Sequence, residues 1–286
     1  MSEREAMFYE KRRGGGAACR LCPHLCEIPP GAAGRCGARR NAGGTLIAEN
    51  FGKINAAALD PIEKKPLRLF RPGRAVLSVG SFGCNMDCPF CQNHESVRRR
   101  GGETRIGPAE LAELAKRNVF LGNIGAAYTY NEPLVGYEYV LESAMLVREA
   151  GLENVLVTNG LISPEPLLAL LPYMDAANID LKCFSREGYE KLGGKLDTVL
   201  ETIELAAARR RVHVEVTLLV VQGENERDAG PAAEWLAGIS PDIPLHVSRF
   251  FPRHRYAGWR PTPARVLLRC VEDAQRHLRH VFAGNI

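Results

Sequence analysis

The chain has 286 residues, 45% of them hydrophobic and 24% charged, with a formal net charge of +4. This is the composition of an ordinary soluble globular protein, long enough for one large domain with an appendage or for two domains. Lys and Arg are dispersed except at Arg98-Arg-Arg100 and Arg209-Arg-Arg211; both runs read as solvated faces, and a nucleic-acid partner is not expected. No apolar stretch approaches the roughly 18 residues of a membrane span, and the first sixteen residues, rich in Glu, Arg and Gly, do not read as a signal peptide. The expectation is a cytoplasmic chain with no membrane partner. Seven of the nine cysteines fall in two tight clusters, at 19, 22, 26, 36 and at 84, 88, 91, which in a cytosolic chain argues for metal binding over disulfides.

In chain order, residues 1 to about 18 are polar and read as a short helix or frayed end around the Gly14-Gly-Gly16 breaker. Cys19-Arg-Leu-Cys22-Pro-His-Leu-Cys26 and Gly34-Arg-Cys36 follow, a C-x2-C-x3-C-x9-C arrangement in a Pro/Gly-rich segment too poor in apolar residues for its own core. Such a module needs a staple. Two fillings stand open: structural zinc in a closed tetrahedral site, and a second iron–sulfur cluster passing electrons onward. His24 is read as lying outside the ligand set. The stretch from Gly43 to Leu59 suggests two short strands in a hairpin. Asp60-Pro-Ile-Glu-Lys-Lys-Pro-Leu67 then reads as an extended linker against the barrel rim, its charges solvated, with Lys64 or Lys65 able to reach the active-site opening.

The apolar run Ala75–Val79 reads as a buried strand leading into Ser81-Phe-Gly-Cys84-Asn-Met-Asp-Cys88-Pro-Phe-Cys91-Gln-Asn93. In α/β folds the loop beyond a strand's C-terminal end is where chemistry is placed. Three thiolates this close repel one another unless a cation binds them, so a soft metal or an iron–sulfur cluster is the natural occupant. A four-iron cluster takes four ligands, and three protein thiolates leave one iron open. The competing reading is a small zinc knuckle with His94 as fourth ligand.

Beyond this loop, strand and helix patterns alternate. Helices are expected at Gly107–Arg117, Leu134–Ala150, Pro164–Leu171, Lys195–Arg211, Gly230–Gly238 and Thr262–His280. Strands are expected at Ile124–Thr129, Val155–Thr158, Ala176–Lys182, Val212–Val221 and Leu245–Phe250. With the strand at 75–79 this makes six right-handed βα units: an α/β chain forming a partial (βα)6 TIM-like barrel, open on one side. The division expected is a Cys-rich N-terminal module and linker over 1–73 and the barrel over 74–286. Polar residues recur at the strand ends: Cys84, Asn131 and Glu132, Thr158 and Asn159, Asp180 and Lys182, Glu215 or Thr217, and His246. In a barrel those ends converge on one mouth. Taken singly each has a structural reading, Asp180 as a helix cap or His246 as a core histidine; their recurrence at one end points to a site.

The cysteine loop closely resembles the signature of radical S-adenosylmethionine enzymes. The resemblance implies that Cys84, Cys88 and Cys91 hold a [4Fe-4S] cluster whose open iron is chelated by S-adenosylmethionine, with Phe90 near the adenine. The barrel is similar to that of the pyruvate formate-lyase activating enzymes. There Asp180-Leu-Lys182 matches a motif contacting the cofactor and a monovalent cation, with Thr158-Asn159-Gly160 on the adjacent strand. Asn131-Glu132-Pro133 stands where that family has Gly-Gly-Glu-Pro, which holds the methionine amino group; only the Glu-Pro is kept. His246 matches a position near the ribose. A closer resemblance is to the AmmeMemoRadiSam system radical SAM enzymes, carried by Cys19-x-Leu-Cys-Pro-His-x-Cys26 with Gly34-x-Cys36, Asp60–Leu67, Tyr128-Thr-Tyr-Asn-Glu-Pro133 and His246-x-Ser-Arg-Phe250. Many relatives continue past a segment like Val281–Ile286 into a cysteine-pair tail, whose role is then expected to be absent or supplied by another protein.

The implied function is reductive cleavage of S-adenosylmethionine to a 5′-deoxyadenosyl radical that abstracts hydrogen from a protein or peptide, with an electron donor such as flavodoxin or ferredoxin. The competing readings are the same chemistry on a small molecule, and a non-catalytic iron–sulfur electron-transfer or assembly protein. Cys183 and Cys270 read as ordinary buried thiols.

Overall fold

The structure is a computed structural model and describes residues 3–98 and 100–286; Arg99 of the first arginine run lies outside the described residues, as do the first two residues of the segment read as a short helix or frayed end. The apolar runs form one eight-stranded sheet whose order follows the chain: β1 Ala56–Pro61, β2 Ala75–Gly80, β3 Asn123–Tyr128, β4 Glu153–Thr158, β5 Ala176–Leu181, β6 His213–Val220, β7 Leu245–Arg249 and β8 Val281–Gly284. From β2 to β8 every neighbouring pair is parallel. Each crossover carries a helix, principally α1 Pro108–Arg117, α2 Tyr137–Glu149, α3 Pro164–Leu170, α4 Leu196–Ala207, α5 Ala229–Ile239 and α6 Ala264–Gln275. The helices bury apolar stripes such as Leu111, Ala112 and Ala115 of α1. The six expected strands are all present. The two sheet edges were not foreseen: β1 pairs antiparallel with β2, and β8 adds a strand after the last helix. The expected boundary at residue 73 therefore falls beyond a strand of the main sheet.

The N-terminal stretch departs from expectation. Instead of a helix, Tyr9–Lys11 pairs antiparallel with Ala17–Cys19, which pairs in turn with Glu27–Ile28. The hairpin lies earlier than expected, Arg39–Ala42 against Thr45–Ala48. Its turn is Gly43-Gly44 with φ of +64° and +97°, the left-handed conformation that two-residue hairpins require and glycine supplies. This releases Ala56–Pro61 to join the main sheet.

The linker after β1 is not a solvated extended strap. Ile62–Lys64 is a 3-10 turn, and Lys65, 3% exposed, pairs with Asp60 at 2.8 Å. Because β1 runs antiparallel to β2, this segment passes beneath the N-terminal ends of the parallel strands. There the Pro66 carbonyl accepts from Asn178 at 2.8 Å, and the amides of Arg68 and Leu69 donate to Glu215 at 3.0 and 2.8 Å. It closes the floor of the barrel, away from the mouth. One hydrophobic core runs from Ala6 and Cys19 to Leu278, so the N-terminal module and the barrel share it. No helix among the described residues is long and apolar enough to cross a membrane.

Candidate active site

The loop after β2 places Cys84, Cys88 and Cys91 on one cavity of about 280 Å³ at the C-terminal ends of the strands. Phe90, Asn131, Glu132, Thr158, Asn159, Asp180 and Lys182 line the same cavity. Of the cofactor residues expected from sequence, His246 alone does not.

Glu132 is 3% exposed. Its Oε1 accepts from Thr158 Oγ1 at 2.7 Å and the Leu134 amide at 3.0 Å, and its Oε2 from the Asn159 amide at 2.7 Å. Burial outweighs these donors and pushes the carboxyl up to about 7, and among the described residues no cationic side chain forms an ion pair with it. Asp180 and Lys182, both inward-facing at the end of β5, pair at 2.6 Å. Burial works against the Lys182 charge, but Asp180, Cys88 and Cys91 together hold its pKa above the usual lysine value.

Asn131 fastens the cysteine loop to the end of β3: its Oδ1 accepts from the Ser81 amide at 3.0 Å and its Nδ2 donates to the Gly83 carbonyl at 3.1 Å. Asn93 donates to the Tyr130 carbonyl at 2.7 Å. Asn159 Nδ2 reaches Cys84 Sγ at 3.7 Å and Asn85 Oδ1 at 2.9 Å, and the Met86 amide donates to Cys84 Sγ at 3.4 Å. Phe90 is buried and meets Tyr256 edge-on, centroids 6.2 Å apart.

His246 and Glu215 occupy a lower level. They sit near the starts of β7 and β6, where His246 Nε2 donates to Glu215 Oε2 at 2.5 Å and His213 Nε2 lies 2.8 Å from Oε1. Although burial opposes it, these histidines with the Arg68 and Leu69 amides hold the Glu215 carboxyl at about 2. The cavity is lined instead by Thr217, Leu219, Ser248 and Asn285. Ser248 was missed, yet it lies two residues beyond His246 on the same strand face, one pleat nearer the mouth.

The three thiols fit an iron–sulfur cluster. Burial raises the pKa of all three, Cys88 to about 11, so a bound cation is what would draw them to thiolates. His94, the alternative zinc ligand, stacks on His254 with centroids 4.5 Å apart. Among the described residues no three His, Cys, Asp or Glu side chains are gathered on a single-ion site.

The N-terminal cysteines lie directly behind this loop. The Cys19 amide donates to the Cys26 carbonyl at 2.9 Å, and the Cys84 amide donates to the Cys36 carbonyl at 3.2 Å. Burial pushes Cys22 up to about 11, with the Asn85 side chain among the groups countering it. His24 is committed to the Asn85 carbonyl at 2.8 Å. Arg39, 1% exposed, pairs with buried Glu138, yet its Nε and Nη1 have no partner among the described residues. Its charge bears on both Cys19 and Cys36. Orphaned guanidinium donors beside buried thiols fit an anionic thiolate centre.

Comparison with known proteins bears on this geometry. The model of the Radical SAM superfamily matches residues 78–236. Uncharacterized protein MJ0808 of Methanocaldococcus jannaschii is 38% identical over 291 residues, covering 99% of this chain and 85% of its own length. The GTP 3',8-cyclase of Limosilactobacillus fermentum is 27% identical over 148 residues, covering 50% of this chain. The match takes in 44% of that enzyme's own length. Streptococcus suis SuiB bound to S-adenosylmethionine superposes with a TM-score of 0.57 at 14% identity, over 73% of this chain and 52% of that one, a likeness of fold.

Proposed function

The chain belongs to the radical SAM superfamily, and on that premise we propose that it cleaves S-adenosylmethionine reductively and abstracts hydrogen from a protein or peptide, in the manner of glycyl-radical activating enzymes. The family implies an enzyme using a [4Fe-4S] cluster and S-adenosylmethionine. When bound, a cluster reduced by an external one-electron donor would pass that electron to the sulfonium of S-adenosylmethionine, which would part into methionine and a 5′-deoxyadenosyl radical able to take a hydrogen atom from substrate.

The observation that carries the reading is the convergence of three thiols, Glu132 and the Asp180–Lys182 pair on one cavity. Cys84, Cys88 and Cys91 would hold the cluster, with N–H groups of Met86 and Asn159 directed at Cys84 sulfur to tune it. Glu132 would receive the methionine ammonium, the positive partner its buried carboxylate lacks. Lys182 and Asp180 would take the charged methionine end, and Phe90 would wall the adenine side. Thr158, Asn159 and Asn131 act one step back, holding Glu132 and the cysteine loop in place.

The N-terminal cysteines Cys19, Cys22, Cys26 and Cys36 would hold a second centre, against which Arg39 supplies charge. That centre would be either structural zinc held by four thiolates or an iron–sulfur cluster with a thiolate at each corner. The Cys19–Cys36 pattern, the Asp60–Leu67 segment and His246-x-Ser-Arg-Phe250 support the AmmeMemoRadiSam subgroup. A cytoplasmic setting and a flavodoxin or ferredoxin donor go with this reading. SuiB, solved with its precursor peptide SuiA, supports a peptide substrate. The resemblance to GTP 3',8-cyclase favours a small molecule as the second reading.

The two separate by isotope. The loaded enzyme is incubated with deuterated cell extract divided by dialysis, and deuterium in 5′-deoxyadenosine is measured. Label from the retained fraction, abolished by protease, is expected; label from the diffusible fraction alone would overturn the protein or peptide reading.

A further inference from the structure

A second cavity, of about 470 Å³, opens beside the cysteine loop. It shares Cys84, Met86 and Val97 with the strand-end cavity, while Glu132, Thr158, Asp180 and Lys182 do not line it. A molecule seated there would reach the cysteine loop at Cys84 without contacting the groups that would hold S-adenosylmethionine. Cys36 is also on its wall, so the cleft touches both cysteine sets.

Its charge is one-sided. Arg35, Arg98 and Arg100 line it and are exposed. The one carboxylate lining it, Asp87, is taken up by Arg98 at 2.6 Å and by Arg255 at 3.1 Å. Arg35 and Arg100 make no ion pair among the described residues. Arg100 is held in place over the Phe82 ring, 5.2 Å from its centroid, and by the Gly37 carbonyl. Arg100, held over an apolar floor of Phe82 and Met86, and exposed Arg35 beside it form a surface suited to carboxylates.

We propose that this cleft docks an acidic one-electron carrier protein of the flavin type, and that it is where electrons enter. The inference rests on the reading of the site given above. The strand-end mouth must admit cofactor and substrate, and tunnelling falls steeply with distance, so the reductant needs another close approach to Cys84; this cleft provides one. The transfer moves a single electron: the carrier's reduced flavin is oxidised by one and the cluster on Cys84, Cys88 and Cys91 is reduced by one, with no bond or proton exchanged. An acidic partner would be steered here by the arginine field, at a rate that falls with salt.

The test uses the full chain loaded with iron and sulfide, in wild-type form and as Arg35→Glu and Arg35→Glu/Arg100→Glu, residues outside every ion pair among the described residues. Two reductants drive 5′-deoxyadenosine formation, reduced flavodoxin and dithionite. The flavodoxin-driven rate should fall by about tenfold or more in the double variant and lose its salt dependence, while the dithionite-driven rate is unchanged. Equal flavodoxin-driven rates would overturn the proposal. Binding of oxidised flavodoxin by titration reads the surface without turnover: an unchanged affinity contradicts the docking site, as does loss of pyrophosphate binding alone, which would mark a site for a small anion. A wild type inactive with dithionite contradicts the enzymatic reading, and the titration still decides the cleft.

Discussion

The amide of Cys84 donates to the carbonyl of Cys36 at 3.2 Å, so the backbone of the N-terminal cysteine module is hydrogen-bonded to the first cysteine of the barrel loop. Between them Gly83 makes the approach possible. Its φ is +98°, and a Cβ there would lie 2.8 Å from Ala38 Cβ and 3.1 Å from the Cys36 carbonyl oxygen. Gly83→Ala is expected to cost about 2–4 kcal/mol in urea unfolding of the metal-free protein. Gly122→Ala, at φ +84° with nothing within 4 Å of the added carbon, should cost only about 1 kcal/mol. Equal losses would mean that the contact does not constrain the two segments.

Glu132 and His246 should separate sharply in cofactor affinity. Glu132→Gln removes the buried carboxylate that would receive the ammonium and should weaken S-adenosylmethionine binding roughly 100-fold, about 3 kcal/mol. His246→Gln, a level below the cavity, should change it less than about threefold, below ~1 kcal/mol. Isothermal titration of the iron-loaded protein reads both, and a large effect of His246→Gln with none of Glu132→Gln would invert the assignment.

Glu215 should set part of the acid limb of stability. Its folded pKa of about 2 lies below the ordinary value of roughly 4.3. The carboxylate therefore stabilises the fold above about pH 4.5, and that contribution drains away as pH falls from there toward 2. The shift corresponds to about 3 kcal/mol. Urea midpoints taken from pH 7 down to 3 should fall more steeply below pH 4.5 in wild type than in Glu215→Gln, which starts lower. Parallel curves would contradict the linkage.

The N-terminal thiols should hold metal independently of the barrel loop. Cys19→Ser/Cys22→Ser is expected to lose about half the iron of the reconstituted wild type if both centres are four-iron clusters, while keeping the cluster on Cys84, Cys88 and Cys91. Elemental analysis gives the count. Unchanged iron with loss of one zinc would assign the site to zinc, and loss of neither metal would remove the second centre.

Much of this was legible in the sequence. The loop at Cys84–Cys91 declares itself by spacing and by the apolar run before it, and six strands by their Val, Leu and Ile content. The partner of the first edge strand was not legible: Ala56–Leu59 falls in the stretch read as a hairpin strand, and only the antiparallel pairing with β2 puts Ala56–Pro61 in the main sheet. His246 was put on the right face of its strand and one pleat too near the mouth, since a pattern fixes a face and leaves the level to the register. Lys65 looked like a surface charge until the chain beneath the barrel buried it against Asp60. The Arg39–Glu138 pair, 99 residues apart, has no local signal at all.

The most direct measurement is anaerobic. The protein is reconstituted with iron and sulfide, given dithionite and S-adenosylmethionine, and assayed for 5′-deoxyadenosine beside a Cys88→Ala control. The account predicts product from the wild type and none from the variant. No product from a wild type with a fully loaded cluster would contradict it and leave an iron–sulfur protein that transfers electrons without cleaving the cofactor.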